Sequence, residues 1–318
     1  MANCLVTGGA GFIGSHIADE LVSIGHKVKI LDNFSTGSKE NLSLLSQVSS
    51  KVEIVEGSIT DKKIVDECVK DTEYIFHHAA FVSVPESIKK PKTTWEINIR
   101  GTKLLLNAAV ANKVKRFVFA SSAAVYGNNP ELPKKEEMNP DPVSPYGQSK
   151  RMGELLCDEY KKKEKLSTIC LRYFNVYGPR QNPYSDYAGV ISKFISSVII
   201  NQGPVIYGSG EQTRDFIYVK DVVTANMLAM EKNVSGSFNI GTGKPNSINQ
   251  LLGAINLANG TEIIPVHKHE REGDITFSYA DIEKARKKLS FVAKYSIENG
   301  IKETFDWYKQ NMKEDMRG

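Results

Sequence analysis

No stretch of the 318-residue sequence approaches the roughly 18–20 consecutive apolar residues that a membrane-spanning helix requires, so no membrane partner is expected. No secretory leader is expected either, since MANCLVTGG reads directly as an apolar strand pattern and a glycine turn. Cysteine is scarce. Cys4, Cys68, Cys157 and Cys170 are scattered, with no C-x-x-C pair and no metal-site spacing, so no metal is expected. The four read as small buried hydrophobes in a reducing compartment, and the cytoplasm is the expected location. Charge of one sign is lacking too. Lys and Arg number 41 against 37 Asp and Glu, and a formal charge of +4 gives no reason to expect nucleic acid. The basic runs KKKEK at 161–165 and KARKK at 284–288 read as solvated helix faces.

What is present is a regular alternation. NCLVTG, KVKILD, VEIVEG, YIFHHAA, RFVFASS and STICLRYFN are short, apolar and rich in β-branched or aromatic residues, as strands are. Helix-length stretches lie between them at 12–25, 61–70, 94–112 and 146–163. Alternating β and α elements predict an α/β fold with a doubly wound parallel sheet. After about residue 178 the rhythm breaks. GPRQNPYSDYAGV reads as a loop, 190–202 as a helix, GSFNIGTG as a strand and 247–258 as a helix, together a smaller mixed α/β domain.

The first strand ends in GGAGFIG at residues 8–14, which contains Gly8, Gly11 and Gly14 three residues apart. Such glycines allow a tight turn and close backbone approach to a pyrophosphate. The helix opening at Phe12 and Ile13 then aims free N–H groups and its positive dipole end at the phosphates. The second strand ends in Asp32, eighteen residues beyond Gly14, where a carboxylate can accept from ribose hydroxyls and repel a 2′-phosphate. The sheet is thus expected to be of Rossmann type, with NAD as cofactor. Asn33, Ser35, Thr36 and Gly37 offer further contacts, and Ser58 and Ile59 a wall for the adenine.

Tyr146 and Lys150 lie four residues apart in PYGQSK, one helical turn on one face. Oxidising an alcohol needs a base for the proton and an acceptor for the hydride, and nicotinamide is the acceptor. A tyrosine of ordinary pKa near 10 is a poor base, so Lys150 and the nicotinamide charge are expected to favour the phenolate. His77 and His78 read as structural residues lining the cofactor loop, followed by Ala79, Ala80 and Phe81.

TGGAGFIG, Asp32, SSAAVYG at 121–127, YGQSK at 146–150 and RYFNVYGPRQNP at 172–183 together resemble an extended short-chain dehydrogenase/reductase. GEQTRDFIYVKDV at 210–222 and REGD at 271–274 extend the likeness to the UDP-hexose and UDP-N-acetylhexosamine 4-epimerases. The resemblance implies that Ser122 bridges substrate oxygen and Tyr146. It implies that Ala79, Ala80, Asn98 and Tyr173 join Tyr146 and Lys150 around the cofactor. It implies a UDP-sugar held by Ser83, Asn175, Arg214, Arg271 and Asp274, with Gly189, Val190, Phe194, Tyr207 and Gln212 around the uracil or sugar. A homodimer formed by a four-helix bundle is implied as well. On this reading 1–178 forms the NAD-binding domain, 214–243 returns to it, and 179–213 with 244–318 binds the nucleotide sugar.

Two further points bear on the reaction. Related dehydratases and decarboxylases carry an acid just after the Ser/Thr run, and here those positions are Ala123 and Ala124. Oxidation followed by return of the hydride is therefore expected, giving 4-epimerisation through a 4-keto sugar. Pocket width in the family is set four residues after the Asp of REGD. Ser278 stands there, which predicts room for an N-acetyl group and activity on UDP-GlcNAc/UDP-GalNAc as well as UDP-Glc/UDP-Gal. Tyr279 is adjacent, and a shift of one residue would reverse that reading. The alternatives are a dehydratase or decarboxylase of the same superfamily and a non-catalytic NAD-binding protein. Whether the nucleotide is UDP or dTDP stays open.

Overall fold

The structure is a computed structural model and describes residues 1–46, 50–183, 189–270 and 276–315. Seven strands form its central sheet: β1 (Asn3–Thr7), β2 (Lys27–Asp32), β3 (Val52–Glu56), β4 (Tyr74–His77), β5 (Arg116–Ser122), β6 (Thr168–Tyr173) and β7 (Gly236–Ile240). They run in the order β7-β6-β5-β4-β1-β2-β3, every pairing parallel. This is the Rossmann-type α/β fold. β1 and β4 are neighbours although β2 and β3 intervene in sequence, so their crossovers leave in opposite directions. The loops at their C-terminal ends splay apart there, and that crevice is where such sheets bind ligands.

Apolar clusters cover both faces. On one, α1 (Phe12–Ser23) and α6 (Val219–Glu231) bury Ile17, Leu21, Val222 and Ala225 against Val6, Phe76 and Leu171. On the other, α2 (Lys62–Val69), α3 (Thr102–Ala111) and α4 (Pro145–Glu164) bury Val65, Leu105 and Cys157 against Leu5, Ile75 and Phe117. The stretch 94–112, expected as one helix, is divided: helix Pro91–Trp95, a π-helical turn Glu96–Gly101, then α3. The wider turn brings Gly101 onto Ile59, where an added Cβ would lie 2.7 Å from Ile59 Cδ1.

The second half has its own core, built by α5 (Val190–Ile199), α7 (Ile248–Asn259) and α8 (Ile297–Asp315) around Phe194, Ile206, Leu251, Phe305 and Tyr308. A three-stranded sheet joins Thr213–Arg214 to Asn246–Ser247 and Phe277–Ser278, and Asn175–Tyr177 pairs with Phe216–Tyr218. Among the described residues no helix is long and apolar enough to cross a membrane.

Candidate active site

The glycine turn after β1 is shaped by contact as well as by conformation. Gly8 has φ +69°, and a Cβ there would lie 2.6 Å from the Ala79 nitrogen beyond β4. A Cβ on Gly14 would lie 2.1 Å from the Gly8 carbonyl. These approaches leave a cradle that only glycine permits, with α1 opening from it. Gly11 caps α1 without a side-chain acceptor, and no acid occupies the first turn. The first N–H groups are thus available to an anion. Asp32 is buried. Its Oδ2 accepts from the Ala10 N–H at 2.9 Å and its Oδ1 from the Phe34 N–H at 2.8 Å, leaving each oxygen a further acceptor position. Asn33, Ser35 and Thr36 stand exposed beside it. Gly37 packs on Ala10, and the Gly57 N–H donates to the Asp32 carbonyl at 2.9 Å, drawing Ser58 and Ile59 alongside. Ile59 itself is 4% exposed within the core. The glycine cradle, uncapped helix end and acceptor carboxylate fit a dinucleotide.

Tyr146, Lys150 and Ser122 are brought together by α4 and the end of β5. Ser144 caps α4 by accepting from the Gly147 N–H at 3.1 Å, and Pro145 pre-sets its first turn. A Cβ on Gly147 would lie 2.7 Å from the Ala124 carbonyl, so glycine lets the helix start against the loop carrying Ser122. Ser122 accepts from the Ala124 N–H at 3.1 Å, and its hydroxyl is close enough to the Tyr146 phenol to favour the ionised form. Lys150 Nζ donates to the Ala120 carbonyl at 2.7 Å and lies 5.8 Å from the Tyr146 ring centroid. Burial lowers the Lys150 ammonium to about 8. It also pushes the Tyr146 phenol up, with the Ser122 hydroxyl opposing. The expected lowering of Tyr146 by Lys150 is therefore not a property of the protein alone. Lys150 is directed into the β5 backbone, and desolvation of the phenol wins.

Asn98 Oδ1 accepts from the Phe81 N–H at 2.7 Å, and its Nδ2 donates to the Phe81 carbonyl at 3.1 Å and to Ser149 Oγ at 2.9 Å. Both amide hydrogens are engaged, so Asn98 clamps the loop after β4 to α4. His77 sits between Thr7 and Thr102, 2.8 Å from each hydroxyl. His78 stacks on Tyr173 with its Nε2 3.0 Å from the phenol oxygen, and burial together with Lys150 holds it down to about 3. Tyr173 is further bonded to Asn226 and lies beside Ser122 in the sheet.

Of the buried acids that the sequence reading passed over, two bear on this site. Glu154, one turn beyond Lys150, accepts from Ser121 Oγ at 2.7 Å and from Arg172 Nε and Nη2 at 2.7 and 2.8 Å. It ties α4 to β5 and β6. Asp215 lies between Arg214 and Phe216 and has no exposed surface. For Asp215 the available signal was an acid beside an apolar run, RDFIYV; for Glu154 it lay only in its partner, Arg172 inside the apolar strand pattern CLRYF.

Most of the residues expected at the nucleotide sugar lie beyond β6 in sequence. Asn175 is exposed, and its Nδ2 donates to the Asp215 carbonyl at 3.0 Å. Arg214 pairs in register with Ser278, and Gln212 Nε2 donates to the Tyr207 carbonyl at 2.8 Å. Gly189 caps α5 and Val190 opens it, while Phe194 faces the core at 3% exposure. Ser83 caps the helix Val84–Lys89 by accepting from the Glu86 N–H. Arg271 and Asp274 lie outside the described residues.

Comparison with known proteins agrees with this geometry. Residues 4–241 match the model of the NAD dependent epimerase/dehydratase family. A Methanocaldococcus jannaschii protein named "Putative UDP-glucose 4-epimerase" is 42% identical over 311 residues, covering 96% of this chain and 98% of its own. A UDP-N-acetyl-alpha-D-glucosaminuronate decarboxylase of Bacillus cytotoxicus is 35% identical over 319 residues, covering 96% and 98%. The structure of UDP-N-acetylglucosamine 4-epimerase from Methanobrevibacter ruminantium M1, in complex with UDP-N-acetylmuramic acid, superposes with a TM-score of 0.94 at 41% identity. It covers 98% of this chain and 99% of its own. The chain therefore belongs to the NAD-dependent epimerase/dehydratase family, within the extended short-chain dehydrogenases/reductases, and NAD is its cofactor.

Proposed function

We propose that the chain is a UDP-sugar 4-epimerase that interconverts UDP-GlcNAc with UDP-GalNAc and UDP-Glc with UDP-Gal through a 4-keto sugar. The observation that carries this reading is the make-up of the β5 end. Ser122 meets Tyr146 there, and the turn that follows, Ala123–Tyr126, presents alanines where an acid would drive further chemistry. Bound NAD supplies the hydride acceptor and donor and a positive charge when oxidised. Ser122 orients the sugar hydroxyl and passes its proton to Tyr146. Lys150, charged below about pH 8, would favour the phenolate together with the positive charge of oxidised NAD, not by itself. The same groups return the proton once the keto sugar has presented its other face. The similarity to a decarboxylase supports a second reading, but that reaction lacks its acid here.

Substrate width rests on Ser278, held beside Arg214 by strand pairing. Ser278→Tyr is expected to cut kcat/KM for UDP-GlcNAc at least 10-fold while leaving UDP-Glc within about 3-fold, a methylene-scale pocket effect enlarged by a ring. Equal losses on both sugars would remove Ser278 from the selectivity argument. A homodimer is also proposed, through α3 and α4. Trp95, on the short helix Pro91–Trp95 ahead of α3, and Leu155, on α4, are 40% and 44% exposed, and a second copy would cover them. Light scattering that returned the mass of a single chain would refute the dimer.

A further inference from the structure

Asp215 is fully buried, and among the described residues no cation pairs with it. Four donors converge on its carboxylate instead. Oδ1 accepts from the Thr242 N–H at 2.8 Å and the Thr242 hydroxyl at 2.6 Å. Oδ2 accepts from the Gly243 N–H at 2.9 Å and the Ala280 N–H at 3.1 Å. Its backbone carbonyl takes two more, from the Asn175 N–H at 3.1 Å and the Asn175 amide at 3.0 Å. The approach is close: a Cβ on Gly241 would lie 2.6 Å from Oδ2. Three chain segments far apart in sequence thus meet on one residue. They are Asn175 after β6, the turn 241–243 after β7, and 278–280.

Those segments carry the groups that the proposed reaction needs outside the redox centre. Asn175 presents its amide, Arg214 adjoins Asp215, and Ser278 pairs with Arg214 two residues before Ala280. A buried carboxylate is a poor choice for stability alone, since apolar packing of equal volume generally does as well or better. What it does uniquely is accept four N–H and O–H bonds from different directions without donating any. Burial pushes the Asp215 carboxyl up, and the Thr242, Ala280 and Gly243 bonds oppose it.

We propose that Asp215 is the positioning residue of the nucleotide-sugar site, fixing Asn175, Arg214 and the Ser278 segment relative to one another. This rests on the UDP-sugar reading given above. Asp215 itself faces inward and acts only through those neighbours.

The test is calorimetric titration of UDP into the NAD-loaded protein, with bound NAD measured on the same samples. Asp215→Asn puts an NH2 group against N–H donors whichever way the amide turns. The expected result is UDP affinity weakened at least 10-fold with NAD content unchanged. Thr242→Ala removes a single hydroxyl bond and decides the matter if Asp215→Asn does not fold. It should weaken UDP binding about 3-fold or more, and Thr242→Ser should restore it. Wild-type UDP affinity in a folded Asp215→Asn or in Thr242→Ala overturns the proposal, as does parallel loss of NAD and UDP. If the wild-type protein binds no UDP, the UDP-sugar reading itself fails and takes this proposal with it.

Discussion

Lys150 is held inside the protein against its own preference for water. Its pKa falls from an ordinary 10.5 to about 8. Between those values the unfolded chain binds a proton that the folded chain does not, so stability rises with pH from about 8 to 10.5. Below pH 8 both states are protonated and folding bears the full penalty, about 3 kcal/mol at 1.36 kcal/mol per unit. Replacing Lys150 by Met should accordingly raise the cofactor-free protein's stability at pH 7 by about 1–3 kcal/mol while abolishing turnover. A urea midpoint that stays put or falls would show that the Ala120 hydrogen bond outweighs desolvation. At this scale the sequence was most informative where chemistry fixes spacing, as in Tyr146 with Lys150, Ser122, Asp32 and the glycines. Glu154, Arg172 and Asp215 were not read because their partners come from other elements and no local spacing encodes them.

Among the elements, α4 shows why some boundaries are legible. Ser144 and Pro145 mark its start, and the helix Pro145–Glu164 matches the expected 146–163 within one residue at each end. Its inner face is set by Gly153, where a Cβ would lie 2.2 Å from Phe119 Cζ. Gly153→Ala gains helix propensity, roughly 1 kcal/mol, but forces the Phe119 ring or the helix to move. The net expectation is destabilisation by about 1–3 kcal/mol, with activity lost as Tyr146 and Lys150 move away from β5. Chemical denaturation checks the first, and a stabilised variant would show that the contact yields easily. The C-terminal helix α8 was missed despite Ile297, Ile301, Phe305, Tyr308 and Met312 recurring at helical spacing. Gly300 is a poor helix former yet lies within the helix, where a Cβ would lie 2.2 Å from the Tyr177 hydroxyl. A tertiary contact dictates that glycine, and local propensity cannot report it. The π-helical turn 96–101 divided another expected helix for a similar reason, since Asn98 has to reach Phe81 and Ser149.

For the whole molecule, the division of labour follows the sheet. The cofactor cradle and the Ser122–Tyr146–Lys150 group belong to the C-terminal edge of the Rossmann sheet. The residues proposed for the nucleotide sugar hang from β6, β7 and the small sheet of the second half. The two are joined by short ties: β6 runs straight into Asn175, His16 Nε2 lies 3.1 Å from the Pro179 carbonyl, and Arg180 pairs with Asp19 at 2.7 Å. On the proposed function, a substrate held by the second half would be placed against a redox centre built by the first. The central claim is that these halves together perform a reversible oxidation at one sugar carbon, using a cofactor that stays bound. The most direct measurement is proton NMR of the purified protein with UDP-GlcNAc and, separately, UDP-Glc, without added NAD. The account predicts that the C4 epimer of each appears. If neither substrate yields an epimer even after NAD is supplied, the assignment of 4-epimerase activity is wrong.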